Sequence, residues 1–430
     1  MRPAGRIAGA VEVLTMITER HSPASEALKE WGRAHRFAGS GDRSYIGNLI
    51  YDALRHKASL AFYMGADSPR ALLIGTLRLL WQMTPDSIAE LMQGEHSPGA
   101  LNDAETAAIA LAPKTDMPAH IAGDYPEWLS ASFERVFGAK APEQGAALAQ
   151  RAPVDLRVNT LKSKYSKVVN ALEKFGPVAG PLSPVALRIA PPPSEGRNPN
   201  VEAEAGYAKG WFEVQDAGSQ LAAFLSGAKA GEQVVDLCAG AGGKSLALAA
   251  IMQNKGQIHA TDNDRHRLKP IFDRLKRAGA HNVQVIPADE PKKLDALDGK
   301  MDLALVDAPC SGSGSWRRKP DAKWRLKPDQ LAIRMEEQKA VLDRAAKFVK
   351  PGGRLVYITC SVLAEENTDQ VAAFLARTEG FKLVPTAEAW TAAGLNGAAP
   401  ESADGKTDTL LLTPKNHQTD GFFVAVMRRG

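Results

Sequence analysis

The chain is poor in cysteine, with only Cys238, Cys310 and Cys360 among its 430 residues. A small, odd number of cysteines in a chain this long excludes a disulfide scaffold and is typical of proteins of the reducing cytosol. The three cysteines also lack the C-x-x-C or histidine-rich spacing of zinc sites. We therefore expect a cytoplasmic protein with free thiols and no metal.

Long apolar runs are also missing. No run reaches the ~18 residues that a membrane-spanning helix needs, and the most apolar stretch, residues 71–81, is interrupted by Arg78. The N-terminal residues faintly resemble a signal peptide, but Glu12 interrupts their apolar part and no cleavage-like site follows. This pattern favours an amphipathic helix, and we expect no membrane partner.

The chain carries little excess charge of either sign. Lys and Arg number 53 against 49 Asp and Glu, a formal net charge of +4. That excess is too small to indicate a polyanionic partner, so any basic surface must be found locally. The hydrophobic and charged fractions, 44% and 24%, are those of ordinary globular proteins, and the length predicts two or three domains.

Three segments differ in pattern. Residues 1–120 read as a helical domain, because apolar residues recur at helical spacing over 45–54 and Thr84-Pro85 is a typical helix start. Residues 121–215 read as a small α+β domain, which begins with a helix that ends at Gly138. Its stretch 177–199 holds seven of the 27 prolines and is expected to consist largely of loops.

Residues 216–430 alternate short apolar runs with longer amphipathic stretches. The runs that read as strands are 233–237, 257–261, 282–286, 301–306, 354–359, 381–384 and 422–427. Helix-length stretches between the first five predict right-handed crossovers and a parallel sheet covered on both faces. The connection 391–420 is rich in Ala and Gly and looks like a loop, so the final strand could run antiparallel. The predicted fold is a doubly wound α/β sheet of about seven strands, whose ligand lies at the carboxyl ends of the strands.

The first of these strands leads into a glycine-rich loop before a helix. We expect this loop to bind a cofactor through Cys238, Ala239, Gly240, Ala241, Gly242, Gly243 and Lys244. Glycines at such a turn let a ligand approach the backbone, and the amides of the helix face it. The spacing fits neither a dinucleotide fingerprint, which has glycine where Ser245 stands, nor a P-loop. A loop this short suits a nucleoside that carries no phosphate chain.

Acidic residues at the next two strand ends extend the predicted pocket. Asp262 lies 22 residues after Gly240, about where an acid binds ribose hydroxyls in doubly wound folds. Asp289 follows the third strand and can reach an adenine amino group. Either acid alone could simply cap a helix, but three consecutive strand ends of this kind favour a site for S-adenosylmethionine. Lys244 is expected to contact the cofactor carboxylate or the target nucleotide, with an inert surface lysine as the alternative.

Cys310 and Cys360 follow the fourth and fifth strands, in the segments Asp307-Ala308-Pro309-Cys310 and Thr359-Cys360-Ser361. Parallel strands end at the same edge of a sheet, so all three cysteines of the chain fall on the predicted ligand edge. A free cysteine is usually a small buried hydrophobic residue. Three of three on one edge are hard to attribute to chance.

Around these cysteines the sequence resembles the Sun/RsmB/Nop family of S-adenosylmethionine-dependent RNA (cytosine-5) methyltransferases. The resemblance covers roughly residues 120–430 and is carried by the motifs at 307–314, 320–324, 350–361, 365–367 and 420–423. A weaker resemblance, over 42–55, is to the NusB-like helical domain of the RsmB branch. The family commonly has Ala-Pro in place of Gly240-Ala241 and Thr in place of Ser245, a departure that a backbone-mediated cofactor contact should survive.

The resemblance implies a class I methyltransferase fold, which is Rossmann-like, and covalent catalysis. Carbon 5 of cytosine is a weak nucleophile, and a thiolate that adds to carbon 6 activates it. Spacing alone does not say which cysteine attacks. The resemblance assigns the attack to Cys360 and the release of the product to Cys310. Asp307 is expected to hold the cytosine ring and to lie near the methionine end of the cofactor.

A basic segment follows the Cys310 motif. Residues 317–327 contain six basic residues and one acid, and Trp316 and Trp324 are interleaved with them. This composition suits phosphate neutralisation and base stacking on single-stranded RNA, although a solvated basic loop is the usual alternative. The expected RNA contacts are Arg317, Arg318, Lys323 and Trp324. The basic residues of 265–277 read instead as an ordinary exposed helix face.

The predicted activity is methylation of carbon 5 of a cytosine in RNA, with 16S ribosomal RNA as the expected substrate and a monomer as the expected state. A tRNA substrate remains open. A catalytically silent RNA-binding assembly factor would have been favoured by the loss of a cysteine or of Asp307, and all are present. A nicotinamide dehydrogenase would have glycine at position 245 and no paired cysteines.

Overall fold

The computed structural model describes residues 1–113 and 115–430 and divides them into two compact units. Unit 1 comprises Met1–Ala152, Pro191–Asn198 and Trp316–Leu326. Unit 2 comprises Pro153–Ala190, Pro199–Ser315 and Lys327–Gly430. The three segments expected from the sequence differ from these units, because the chain leaves each unit and returns to it.

Unit 1 is helical in its described residues. Its helices before residue 152 are α1 (Pro3–Arg20), α2 (Ala24–Ala34), α3 (Ser40–Arg55), α4 (Lys57–Met64), α5 (Pro69–Gly75), α6 (Pro85–Gln93), α7 (Asp103–Ala110), α8 (Ala119–Ala122), α9 (Ser130–Phe137) and α10 (Ala141–Leu148). A π-helical turn, Thr76–Leu80, extends α5, and short 3-10 turns, Glu127–Leu129 and Gly138–Lys140, flank α9.

The helical pattern read from residues 1–120 is confirmed. The apolar positions of 45–54 face the core of unit 1 on α3. Thr84 caps α6 as expected, since its Oγ1 accepts a hydrogen bond from the Ser87 amide at 3.2 Å. None of the helices in the described part of the chain is long and apolar enough to cross a membrane.

Unit 2 begins with a small antiparallel sheet. Its strands are β1 (Val154–Val158), β2 (Val178–Ala179), β3 (Ala186–Ile189) and β4 (Phe212–Val214), in the order β2-β3-β1-β4. The helices α11 (Tyr165–Ala171) and α12 (Ala205–Ala208) accompany them. The stretch 177–199, expected to be largely loop, holds β2 and β3 because its prolines fall outside these two short strands.

The main sheet of unit 2 has eight strands. They are β5 (Gln233–Asp236), β6 (Gln257–Ala260), β7 (Val283–Val285), β8 (Met301–Asp307), β9 (Val349–Thr359), β10 (Phe381–Leu383), β11 (Leu410–Leu412) and β12 (Phe422–Arg429). The remaining helices are α13 (Ala217–Leu225), α14 (Gly243–Ile251), α15 (Arg265–Leu268), α16 (Ile271–Ala278), α17 (Pro291–Asp295), α18 (Pro320–Arg325, which belongs to unit 1), α19 (Pro328–Phe348), α20 (Thr368–Arg377), α21 (Thr386–Ala392) and α22 (Pro414–His417).

The strand order is β10-β12-β9-β8-β5-β6-β7, with β11 paired to β12. Strands β5 to β9 are parallel, and β12 runs antiparallel to β9, as the loop-like connection before it suggested. The seven expected strands are present. Strand β11 lies in the connection 391–420, which we expected to be a loop. Its three leucines form too short an apolar run to predict a strand.

This order places a topological switch point between β5 and β8. From β5 the chain proceeds outward through β6 and β7, and then returns to the other side of β5 for β8 and β9. Loops that leave neighbouring strands in opposite directions open a crevice at the carboxyl ends, where doubly wound sheets bind ligands. The fold is thus that of a class I, Rossmann-like methyltransferase domain, and its switch point positions the candidate site.

Candidate active site

Cys310 and Cys360 lie side by side beyond the ends of β8 and β9. The two strands pair until Asp307 lies opposite Ile358, so the loops that follow emerge together. The Sγ atoms of the two cysteines are 3.3 Å apart, and both residues are half-buried. The structure thus brings together the two thiols that the sequence placed on one edge.

A buried carboxylate holds the loop that carries Cys310. Glu366 is fully buried, and its Oε1 and Oε2 accept hydrogen bonds from the amide and the hydroxyl of Ser311 at 2.7 and 2.5 Å. Gln338, on α19, donates both to Glu366 at 3.0 Å and to the carbonyl of Pro309 at 2.9 Å. Burial raises the pKa of Glu366. Both neighbours of Cys310 are therefore fixed in place.

Hydrogen bonds also hold the loop that carries Cys360. The hydroxyl of Thr359 donates to Asn367 Oδ1 at 2.5 Å, and Asn367 Nδ2 donates to the carbonyl of Ser361 at 2.9 Å. The hydroxyls of Ser361 and Ser313 are 2.9 Å apart, so the two cysteine loops are bonded to each other. The spacing of the sulfurs is consequently set by several bonds rather than by one.

Two glycines allow a third segment to approach these loops. The amide of Gly421 donates to the carbonyl of Gly314 at 2.8 Å. A Cβ atom on Gly314 would lie 2.2 Å from the carbonyl oxygen of Gly421, far inside contact distance. This close approach gives a physical reason for glycine in the motifs at 307–314 and 420–423.

The thiol of Cys310 is harder to ionise than an ordinary cysteine. Hydrogen bonding to Cys360 and burial raise the pKa of Cys310 well above its usual value. Cys310 is therefore a neutral thiol at pH 7 and can donate its proton toward the sulfur of Cys360.

Asp307 is paired with Lys244 at the end of β8. Lys244 Nζ lies 2.9 Å from Asp307 Oδ2 and also donates to the hydroxyl of Ser219 at 2.9 Å. The Lys244 side chain is 4% exposed, whereas that of Asp307 is 33% exposed. The buried Lys244 therefore holds the carboxylate of Asp307 in place, and Asp307 is the partner that solvent can reach. The expected contact of Lys244 with a cofactor or nucleotide stays a prediction, and its amino group bonds to these two side chains.

The glycine-rich loop is fastened to β6 through Asp262. The buried Asp262 accepts hydrogen bonds from the amides of Gly240 at 2.9 Å and of Asp264 at 2.8 Å. Beneath the loop, the fully buried Asp236 accepts from the Ser245 hydroxyl at 2.6 Å. Burial raises the pKa of Asp236 to about 7. Ser245 thus has a structural role at the place where a dinucleotide fingerprint would have glycine.

A cavity of about 710 Å³ lies beside this loop, within the size range of small-molecule sites. Its wall includes Cys238 and Asp262 from the first two strand ends, Pro287 and Glu290 after β7, and Pro309 beside Cys310. Asp289 is exposed and does not line the cavity, so its expected adenine contact stays a prediction, and Glu290 is the acid from that loop in the wall.

These residues fit S-adenosylmethionine. The carboxylate of Asp262 can bind ribose hydroxyls, and Leu237, Pro287 and Ala288 offer an apolar surface for adenine. The position of Pro309 in the wall connects the cavity to the cysteine loops. In the described residues, no group of three or more His, Cys, Asp or Glu side chains is arranged to hold a metal ion.

The basic segment after Cys310 is packed within unit 1, which corrects part of the expected RNA interface. Lys323 is 1% exposed, and its Nζ donates to the carbonyl of Arg55 at 2.8 Å. The indole of Trp324 donates to the carbonyl of Leu54 at 2.6 Å. Both side chains therefore bind the carboxyl end of α3, where Lys323 is buried and Trp324 is half-buried.

The neighbours of these residues are also less exposed than the composition suggested. Arg317 is 4% exposed, and Arg318 is half-buried. Trp316 is buried and stacks on Phe133, with ring centroids 6.0 Å apart. Composition alone does not distinguish a basic, aromatic segment that is exposed to solvent from one that packs into a helical domain. This segment packs into unit 1.

Three side chains of the site were not found from the sequence. Glu366 lies in the motif at 365–367, whose position after Cys360 was the one available signal. Gln338 lies within a long helix and Ser219 lies before the sheet, so neither has a local sequence signal. Each acts by holding another residue in place.

Comparisons with known proteins agree with this geometry. The family description "16S rRNA methyltransferase RsmB/F" matches residues 223–428, and a "Methyltr_RsmF/B-like, ferredoxin-like domain" matches residues 125–194. Over 312 residues the chain is 32% identical to a probable ribosomal RNA small subunit methyltransferase B of Synechocystis sp., covering 71% of this chain and 67% of that protein. Over 358 residues it is 31% identical to a ribosomal RNA small subunit methyltransferase B of Photorhabdus laumondii, covering 79% of each.

A solved structure, a methyltransferase homologue from Pyrococcus horikoshii, is similar with a TM-score of 0.59 and 27% identity, covering 73% of this chain and 98% of that one. The protein is thus an RNA methyltransferase that uses S-adenosylmethionine. Fold, cavity and sequence similarity lead to one assignment: the chain belongs to the RsmB/F family of 16S rRNA methyltransferases.

Proposed function

We propose that the protein methylates carbon 5 of a cytosine in 16S ribosomal RNA through a covalent bond between Cys360 and carbon 6. The observation that carries the proposal is the 3.3 Å separation between the sulfurs of Cys310 and Cys360. One pyrimidine ring can contact both sulfurs at that spacing. Direct transfer to a nucleophilic nitrogen or oxygen atom would need neither thiol.

The reaction begins when the Cys360 thiolate adds to carbon 6. The new bond moves electron density to carbon 5, which becomes an enamine-like nucleophile. S-adenosylmethionine, when bound, supplies the electrophilic methyl group that carbon 5 attacks. Carbon 5 then carries both the methyl group and its original hydrogen.

Release of the product requires a base for that hydrogen, and we assign this role to Cys310. Hydrogen bonding to Cys360 is the foremost cause of the raised pKa of Cys310, and it weakens once Cys360 is a thioether. Cys310 can then lose its proton to solvent and, as a thiolate, accept the proton of carbon 5. The carbon 5–carbon 6 double bond re-forms, the bond from carbon 6 to sulfur breaks, and Cys360 leaves as a thiolate. The resting pair is thereby restored.

Asp307 is assigned to the recognition of the base. Its carboxylate, held by Lys244 at 2.9 Å, can accept a hydrogen bond from the exocyclic amino group of cytosine. Uracil has a carbonyl oxygen at that position, which a carboxylate would repel. One preorganised hydrogen-bonding partner of this kind contributes about 3 kcal/mol to stabilising a transition state.

The test is to identify the methylated nucleoside. Bisulfite sequencing of total RNA from a deletion strain should show loss of 5-methylcytosine at one position in 16S rRNA. Wild-type protein should restore the methyl group, and Cys360→Ala should not. Loss of a tRNA methylation instead would assign the substrate to tRNA, and loss of a methylated nucleoside other than 5-methylcytosine would overturn the chemistry.

A further inference from the structure

A second concave surface in unit 2 shares no residue with the cavity of the active site. It is an open groove of about 810 Å³, and four of its eight lining residues are cationic: Leu161, Lys162, Ala208, Lys209, Trp211, Asp273, Lys276 and Arg277. We propose that this surface, the Trp211 groove, binds the phosphate backbone of the substrate RNA. The proposal depends on the chain being an RNA methyltransferase and not on which atom is methylated.

Four lysines supply the charge of the groove. Lys162, Lys209 and Lys276 line it, Lys167 lies over the Trp211 ring, and all four are exposed. Within the described residues, none of the four is in an ion pair with a carboxylate, whereas Arg277 is paired with Glu213 at 2.7 Å. Asp273 is the one acid in the lining. An excess of unpaired cations in a concave surface favours a polyanion.

Trp211 arranges two of these cations. Lys167 Nζ lies 4.0 Å and Lys209 Nζ 5.2 Å from a ring centroid of the indole. Such cation–π contacts hold ammonium groups in place without neutralising them. Lysines that are already positioned lose less side-chain entropy when they bind an anion. The indole therefore serves to preorganise phosphate-binding groups.

The walls of the groove are fixed to each other. The buried Asn159 donates from Nδ2 to the carbonyls of Gly210 and Ala278, both at 2.8 Å. Gly210 has φ +73°, and a Cβ there would lie 2.0 Å from the carbonyl oxygen of Arg277. The turn that carries Lys209 and Trp211 is thus pressed against the end of α16, which carries Lys276. The groove is preformed.

A buried ion cluster connects the groove to the cofactor loop. Glu213, which is 2% exposed, accepts from Arg277 and from Arg274. Arg274 also donates to the carbonyl of Ala241 at 2.8 Å. Helix α16, with eight residues, is about 12 Å long. RNA bound in the groove would therefore lie within about one such helix length of the cofactor loop, on the same compact unit.

The sequence did not reveal this surface, because its parts are distant along the chain. The basic residues of 265–277 read as an ordinary helix face, and only the fold adds Lys162, Lys209 and Trp211 to them. The segment 316–326, which was expected to bind RNA, is buried in part, whereas the four lysines of the groove are all exposed.

The test compares the salt dependence of RNA binding. The double variant Lys209→Glu/Lys276→Glu should bind transcribed, protein-free 16S rRNA about tenfold more weakly at 0.1 M salt, since it loses two phosphate contacts. The slope of log affinity against log salt concentration should become shallower by about 2, one for each contact. The neutral variant Lys209→Gln/Lys276→Gln should give a smaller loss in the same direction and serves if charge reversal prevents folding.

A matched control separates the groove from total charge. Lys382→Glu/Lys406→Glu changes the net charge equally at two exposed lysines outside the groove, and it should bind RNA as the wild type does. Equal weakening by both double variants, or an unchanged slope in the groove variant, would overturn the proposal. Unchanged binding to protein-free RNA with weaker binding to assembled ribosomal subunits would assign the groove to a protein and also overturn it. Because the assay needs no methyl transfer, its outcome is independent of the cytosine-5 proposal.

Discussion

The cysteine loops, residues 307–315 and 359–367, and the segment 316–326 that follows the first of them both looked functional in the sequence. In the cysteine loops the two thiols lie together, with sulfurs 3.3 Å apart at the ends of two parallel strands. In the segment 316–326, Lys323 and Trp316 are each 1% exposed and belong to the packing of unit 1. In the first segment the sequence pattern correctly predicted which side chains lie together, whereas in the second the basic and aromatic composition did not predict an exposed surface.

The difference has a physical cause. The place of a residue at the end of a parallel strand follows from the topology of the sheet, and the topology follows from a pattern spread over some two hundred residues. The place of Lys323 depends on single contacts with α3, such as its bond to the carbonyl of Arg55. A long-range pattern can be read from a sequence, but single tertiary contacts cannot.

The largest expected effect is in the cysteine loops. Cys360→Ala should lower the methylation rate by at least about 10³-fold, because it removes the nucleophile. The thermal midpoint should change little, since the half-buried thiol contributes little packing. Methyl transfer to RNA, measured in single turnover, gives the rate. Cys360→Ser should be equally impaired, because an alcohol is not ionised at neutral pH, and a serine variant with near wild-type activity would contradict covalent catalysis.

A second change tests whether Glu366 positions the loop of Cys310. Glu366→Ala leaves the Ser311 amide without its acceptor and removes one of the two bonds of Gln338. A resulting displacement of about 1 Å at the thiol would lower turnover about 10²-fold. Glu366→Gln keeps an acceptor of the same shape and should stay within about threefold of wild type. Steady-state methylation rates compare the two variants. Equal rates for alanine and glutamine would show that Glu366 does not position the loop.

In the segment 316–326 the expected effect is on stability. Lys323→Ala removes a buried bond and leaves a cavity, and it should lower the free energy of unfolding by about 2 kcal/mol. Lys319→Ala, in the same segment but exposed, should cost almost nothing. Chemical denaturation measures both. If Lys323→Ala weakened RNA binding without lowering stability, the sequence-based prediction that Lys323 contacts RNA would be supported instead.

The smallest effect is a pH dependence in the same segment. Burial lowers the pKa of Lys323 from 10.5 to about 8, so between these values the unfolded chain binds a proton that the folded protein has released. The contribution of Lys323 to the free energy of unfolding therefore rises with pH, by about 1 kcal/mol between pH 7 and pH 9. Lys323→Met should lack this rise. Identical pH profiles for wild type and Lys323→Met would show that the amino group is not buried.

Much of unit 2 was predictable from its sequence. The apolar runs gave the seven expected strands and the parallel order, and Thr359-Cys360 and Pro309-Cys310 fell where the sheet brings strand ends together. Strand β11 was missed because its three residues, Leu410–Leu412, form too short a run, although they pair with β12. The glycine-rich loop was predicted to bind the cofactor, and the structure bonds its Gly240 amide to Asp262, which lines the cavity.

The supporting contacts were not predictable. Gln338 lies on α19 and bonds to Pro309 and Glu366 across the fold, and nothing in the helix marks it. Ser219 bonds to Lys244 in the same way. The role of such a residue depends on its contact with a residue that is distant in the sequence, and no local sequence pattern predicts that contact.

The central claim is that Cys360 forms the bond to the base and Cys310 resolves it. Each cysteine variant should be incubated with substrate RNA and S-adenosylmethionine, denatured, and examined for a protein–RNA species of reduced electrophoretic mobility. Cys310→Ala should accumulate the covalent species, because its adduct cannot be resolved, and Cys360→Ala should form none. Accumulation in Cys360→Ala and none in Cys310→Ala would contradict the assignment of the two thiols.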